Sequence, residues 1–281
     1  MPARPRQSAL PRSTALQAAA AAVLVLGVLL LLVLQGGSGD DAGNEEGGPV
    51  SVPARELEQG MTSIASDEFF ETVIAAQRAA GTWNVLSVST VDGRSMQPSV
   101  QQVSLAGDDP AIRTVFDSGV GTVEALYIGG DFYVKGFSGT ETPWWKVEPD
   151  GEAGQLVTWL AQAADPTRFL SSLKEFRSFE VVGVEDVATA EEGTTVTAVH
   201  YRLTLDPPGE NVAGTEATPM EMDMWVDADD RPVRVETAVE GGGQRLETTL
   251  FYVLYGEKVD IEAPPADQVT TETPPELAGR Q

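Results

Sequence analysis

Two stretches in the second half of the chain alternate between apolar and polar residues with a period of two. In TVTAVHYRLTLD, Val199, Tyr201, Leu203 and Leu205 fall on one side, and His200, Arg202 and Thr204 on the other. In PMEMDMWVD, Met220, Met222, Met224 and Val226 point one way while Glu221, Asp223, Trp225 and Asp227 point the other. A helix would scatter either set around its circumference. Only a strand with one face buried and one face wet keeps them apart. The chain is therefore committed to a sheet with two chemically different faces.

The same kind of segment recurs. TWNVLSVSTV (82–91), SVQQVSLA (99–106), AIRTVFD (111–117) and PWWKVE (143–148) are rich in β-formers and bounded by turn residues. TVEALYIGGDFYVKG reads as a hairpin turning at Gly129-Gly130-Asp131. SFEVVGVEDV (178–187), RPVRVETAVE (231–240) and RLETTLFYVLYG (245–256) complete a set of about ten antiparallel strands. One helix opens the domain and two more interrupt the strands. Ser66 is placed to cap DEFFETVIAAQRAA, in which Phe70, Val73, Ile74 and Gln77 follow helical spacing and Gly81 stands at the C-cap. EAGQLVTWLAQAA (152–164) puts Leu156, Trp159, Leu160 and Ala163 on one stripe. DPTRFLSSLKEF has Asp165 as N-cap and Pro166 at the first helical position, with Phe169, Leu170 and Leu173 forming the stripe.

Ahead of this domain lies an apolar run. Arg4, Arg6 and Arg12 precede it, Ala18–Leu34 is unbroken, and no charge appears until Asp40. Its length falls where a long secretory core and a short membrane span overlap. Basic residues before it orient the N-terminus to the cytoplasm. Two readings stay open, an uncleaved anchor and a cleaved signal, and under both the remainder is extracytoplasmic. Residues 1–14 are then a basic cytoplasmic segment, 15–35 the anchor or signal, 36–62 a flexible acidic linker, 63–265 the folded domain and 266–281 a disordered tail. Leu34-Gln35-Gly36 looks like the start of a lipid-attachment box, but Gly37 stands where a cysteine would be acylated.

Charge and cysteine content narrow the function. All 43 acidic residues follow the apolar run and the formal net charge is −25. That field repels nucleic acid and anionic headgroups. With no cysteine, disulfides, thiolate metal sites and cysteine nucleophiles are excluded. His200 is the only histidine and has no serine or second histidine patterned near it, so a structural or exposed role is expected. DADD (227–230) lacks the spacing, glycine and closing glutamate of a calcium loop, so it reads as a hairpin turn. The glycines at 241–243 have no following helix to make a phosphate loop. No nucleophile elbow or zinc motif is present.

In order and spacing, the leading helix, LYIGGDFYVKG…WWKV, DPTRFLSSLKEF, FEVVGVEDV, TAVHYRLTLD, MWVDADDRPVRVE and YGEKVDIEAPPA resemble the LolA-like, LppX/LprG-type envelope lipoproteins of actinobacteria. The resemblance runs over about Met61–Pro265. It implies an α+β, mostly β fold: a strongly curved antiparallel sheet, a half-barrel, with helices across its concave face, preceded here by one N-terminal hydrophobic helix. It also implies an apolar cavity that binds or moves lipids or lipidated molecules, with no catalysis and no cofactor.

The alternation and helical stripes supply the cavity candidates: Phe70, Val73, Trp159, Leu160, Phe169, Leu173, Val199, Tyr201, Leu203, Met220, Met222, Met224 and Val226. Three methionines on one strand face suit a wall that adapts to irregular acyl chains, and they suit an ordinary core as well. The expected partners are a lipid or acylated ligand, the cytoplasmic membrane and an envelope transporter, and not nucleic acid. The alternative is a membrane-tethered interaction or sensor module with a packed core and no cargo.

Overall fold

A computed structural model describes residues 50–105, 110–117, 121–136, 142–148, 170, 176–205, 219–241 and 244–274. One α-helix, α1 (Phe69–Ala80), and two short 3-10 turns accompany thirteen strands among these residues. The strands are β1 (Thr82–Val91), β2 (Arg94–Ser95), β3 (Ser99–Ser104), β4 (Ala111–Asp117), β5 (Thr122–Ile128), β6 (Asp131–Lys135) and β7 (Trp144–Val147). They continue with β8 (Phe176–Ala188), β9 (Thr195–Leu205), β10 (Met220–Val226), β11 (Pro232–Gly241), β12 (Gln244–Val253) and β13 (Val269–Thr270).

All thirteen belong to one sheet. Its order is β13-β7-β6-β5-β4-β3-β1-β12-β11-β10-β9-β8, with β2 folded back on β1. Consecutive strands pair as antiparallel neighbours because short turns join most of them, as in the β5–β6 hairpin that pairs Ile128 with Asp131. Two pairings are not local. β1 takes β12 along eight residue pairs, from Asn84–Val253 to Val91–Leu246. β13 adds to β7 in parallel, Val269 beside Trp144.

The expectation of a strongly curved antiparallel half-barrel, with helices across a concave face and an N-terminal hydrophobic helix ahead of it, is corrected here. The sheet is a large open one, and it is mixed. The β1–β12 pairing sets the two halves of the chain side by side as one extended ladder, and β7 bonds β13 instead of returning towards β8. A single α-helix covers the sheet among the described residues. The helix expected over 152–164 and the apolar run 15–35 lie outside the described residues, and of the helix expected over 165–176 only Leu170, which is helical, and Phe176, which opens β8, are described. Among the described residues no helix is long and apolar enough to cross a membrane.

α1 buries Phe69, Val73, Ile74 and Gln77 against the sheet, and Gly81 ends it at φ 74°. Ser66 does not cap it. Its Oγ instead accepts from Val52 N (2.9 Å) and donates to Val50 O (3.0 Å), while Glu68 occupies the N-cap. Residues 50–62, expected as linker, carry further bonds to the domain. Arg55 donates to the Val181 carbonyl of β8 (3.0 Å), and Ser63 N donates to Arg55 O (2.9 Å). Val269 and Thr270, expected in the tail, are strand.

Candidate functional site

Pleating divides the sheet into a face covered by α1 and an opposite face. On the covered face β9 contributes Val199, Tyr201, Leu203 and Leu205, and β10 contributes Met220, Met222, Met224 and Val226. All eight are buried and belong to one apolar cluster with Phe69, Val73 and Ile74 of α1. Their register is direct: Met222 opposes Leu203, and Met224 opposes Tyr201. Aromatic rings fill the corner between helix and sheet. Phe69 lies 4.7 Å from Tyr201 and 5.3 Å from Phe179 between centroids, and Phe70 stacks on Phe176 at 5.1 Å. The Tyr201 hydroxyl accepts the Ile64 amide (2.8 Å), and burial pushes its pKa up to about 12.

Of the sequence-derived candidates, Val73, Val199, Tyr201, Leu203, Met220, Met222, Met224 and Val226 therefore sit together. Phe70 is only partly buried beside them. The residue of that helix turned fully inward is Phe69, one position earlier. Trp159, Leu160, Phe169 and Leu173 lie outside the described residues, although Leu170 between them is buried in the same cluster.

Moving from β10 across the covered face, the chemistry changes. Met222 opposes Thr237 of β11, Thr237 opposes Thr248 of β12, and Thr248 opposes Ser89 of β1. Ser87 opposes Ser99 of β3, and Gln101 follows two residues along β3 opposite Val85. Ser87, Ser89, Ser99, Gln101, Thr237 and Thr248 are all buried. Ser89 and Thr248 bond each other (2.9 Å). The Ser87 hydroxyl, the Gln101 Nε2, the Trp83 Nε1 and both amide atoms of the buried Gln77 make no hydrogen bond. The Tyr255 hydroxyl donates to the Pro232 carbonyl (2.8 Å), and its oxygen lies beside the Gln77 amide. Sequence reading passed over this hydroxyl and amide band. Its signal was visible as Ser87, Ser89, Ser99 and Gln101 occupying the inward parity of β-rich segments.

No Asp, Glu, Lys or Arg is buried among the described residues. Charge lies on the opposite face and at strand ends. There Glu124 accepts Arg113 (2.6 Å) and Asp131 accepts Lys146 (2.7 Å). His200 is also on that face, yet buried. Its Nδ1 lies 2.9 Å from Glu185 Oε1 and its Nε2 2.6 Å from Asp223 Oδ1, so both ring nitrogens face a carboxyl group. Trp225 stacks on it at 4.3 Å and donates to Glu185 (3.2 Å). The hydrogen bond to His200 holds the Glu185 carboxyl below its ordinary pKa, and burial opposes this. Among the described residues no group of three or more His, Cys, Asp or Glu is placed to hold a metal ion. DADD forms the turn expected: Asp227 accepts the Asp229 and Arg231 amides at 2.9 Å each and the Arg231 guanidinium at 2.8 Å.

No family model matches the chain. No curated protein matches it either. Solved structures to which it is similar include MucB in complex with MucA(peri), at 17% identity and a TM-score of 0.35, over 74% of this chain and 60% of that one. Another is a LolA superfamily protein, NE2245 from Nitrosomonas europaea, at 12% identity and a TM-score of 0.30, over 73% of this chain and 97% of that one. The chain thus spans three fifths of the solved MucB chain.

Proposed function

We propose that the domain is a non-catalytic, extracytoplasmic binder of lipids or lipidated molecules, carrying or chaperoning them in the cell envelope. One observation supports this above the others. The three-methionine wall of β10 runs directly into a row of buried hydroxyls on the same sheet face. A sheet that served only as a core gains nothing from a row of hydroxyls in place of valine or isoleucine, since each polar group loses its water. A face that meets an amphiphile needs both surfaces, flexible thioethers for the chain and neutral polar groups for its head. Burying an acyl chain yields about 0.8 kcal/mol per CH₂, enough to drive capture without any charge. The tether to the cytoplasmic membrane and delivery to or from an envelope transporter belong to this proposal.

Native mass spectrometry of the full chain from a lipid-containing host tests it. Lipid-mass adducts are expected, and they should fall in Met222→Glu. A chain that carries no adduct and takes up none from added lipid would overturn the proposal.

A second reading, an interaction or sensor module, draws on the opposite face. Val88 and Val100 are 39% and 44% exposed there, near Leu86 and Phe251. Crosslinking of that face to a partner in an adduct-free protein would favour it.

A further inference from the structure

We infer that the covered face holds a hydrogen-bonding subsite, built around Ser87 and Gln101, for the uncharged carbonyl of an acyl ester. The inference rests on the lipid-binding reading above and specifies which end of the ligand lies where. Ser87 Oγ and Gln101 Nε2 are unpartnered although each residue is only 4% exposed. Leaving such groups without a partner is costly, and folded proteins rarely do so.

The two side chains are diagonal neighbours on β1 and β3, because Ser87 opposes Ser99 and Gln101 opposes Val85. Diagonal positions are about 7–8 Å apart, close enough for a short hydroxyl and a longer amide to reach one carbonyl oxygen. The Gln101 Nε2 can only donate and the Ser87 hydroxyl can donate beside it, so a partner that engages both at one atom is an acceptor. The absence of any buried Lys or Arg among the described residues decides its charge. A carboxylate or phosphate brought to this face would be desolvated with no counter-charge among the described residues, whereas an ester carbonyl needs only the two donors. The methionine wall lies on the other side of Thr237 and Thr248 from this pair, which orients the ligand. The carbonyl sits over β1–β3 and the chain runs towards β9–β10.

The test is a native mass spectrometric competition on the full chain, released from non-ionic detergent. It uses an equimolar trio of closely matched length: methyl stearate, stearate and nonadecane. Methyl stearate adducts should exceed nonadecane adducts about tenfold, the worth of two modest hydrogen bonds. They should exceed stearate adducts as well. Ser87→Ala with Gln101→Leu should bring methyl stearate and nonadecane to parity while total occupancy persists. Ser87→Ala alone, a smaller change, should lower the preference about threefold. Equal binding of ester and alkane, a preference for stearate, or an ester preference that survives both variants overturns the subsite. The first two results leave the lipid-binding proposal standing. No adduct with any of the three overturns both.

Discussion

Removing one oxygen from Tyr201 isolates a single hydrogen bond at the junction of the N-terminal segment and the sheet. The Tyr201 hydroxyl accepts the Ile64 amide at 2.8 Å, and both residues are buried. Tyr201→Phe keeps the ring against Phe69 and Phe179, so packing is nearly conserved. The amide then stays buried without a partner, which costs about 1–3 kcal/mol. For a domain of this size about 2 kcal/mol corresponds to a fall of about 4–8 °C in Tm. Because burial holds the phenol near pKa 12, the hydroxyl stays protonated through the working range and the loss should not vary between pH 6 and 9. Urea denaturation gives the stability change, and hydrogen exchange at the Ile64 amide gives its location. The segment 50–66 should open locally before the sheet does, since it is held to β8 and β9 by few bonds, among them Arg55 to Val181. A stability change under about 0.3 kcal/mol, with unchanged exchange at Ile64, would refute the reasoning.

Three further outcomes follow from the structure. Gly136→Ala should cost about 1–3 kcal/mol in urea denaturation, because φ is 119° and a Cβ would stand 2.6 Å from the Thr122 carbonyl oxygen, a backbone atom that cannot rotate away. Met222→Ala in delipidated protein should cost less than the ~2–5 kcal/mol of a tightly packed core methionine, and lipid occupancy should fall with it; a full core-sized loss with occupancy intact would contradict the adaptable wall. Glu185 is held below its ordinary value of 4.5, so the stability it contributes is complete above that value and lost as pH falls through the lowered one. His200→Gln should flatten that acid limb in pH-dependent melting, modestly because Glu185 is partly solvated.

Where local patterning decides the structure, the sequence was readable. Period-two alternation located β9 and β10 and their inward residues, the paired glycines at 129–130 located a hairpin, and Gly81 located the end of α1. What eluded reading was decided at a distance. Phe69 and Phe70 are adjacent and equally apolar, and only the seating of α1 on the sheet chooses the first. Ser66 had an N-cap's chemistry but was claimed by Val50 and Val52. The carboxylates around His200 were hidden by β8, whose register shifts at Phe176/Ser178 and Val181/Gly183 and so breaks any simple count from Glu185 to β9. The extent of the sheet rests on β1–β12 and β7–β13, pairings that no local pattern records. The polar band was written in the sequence, but its meaning depends on four strands lying in register.

The seam between β1 and β12 has a consequence for how this protein is made. β1 ends at Val91 and its partner begins at Gln244, so the middle of the sheet waits for nearly the whole domain to be synthesised. Until then the first half can assemble only as β1–β7 and the second as β8–β11, each with a bare inner edge of unpaired amides and carbonyls. Closing a loop of that span is slow, and two complementary half-sheets from different molecules could meet sooner than two from the same one. The nascent chain is thus most exposed to swapped dimers just before its last long strand arrives.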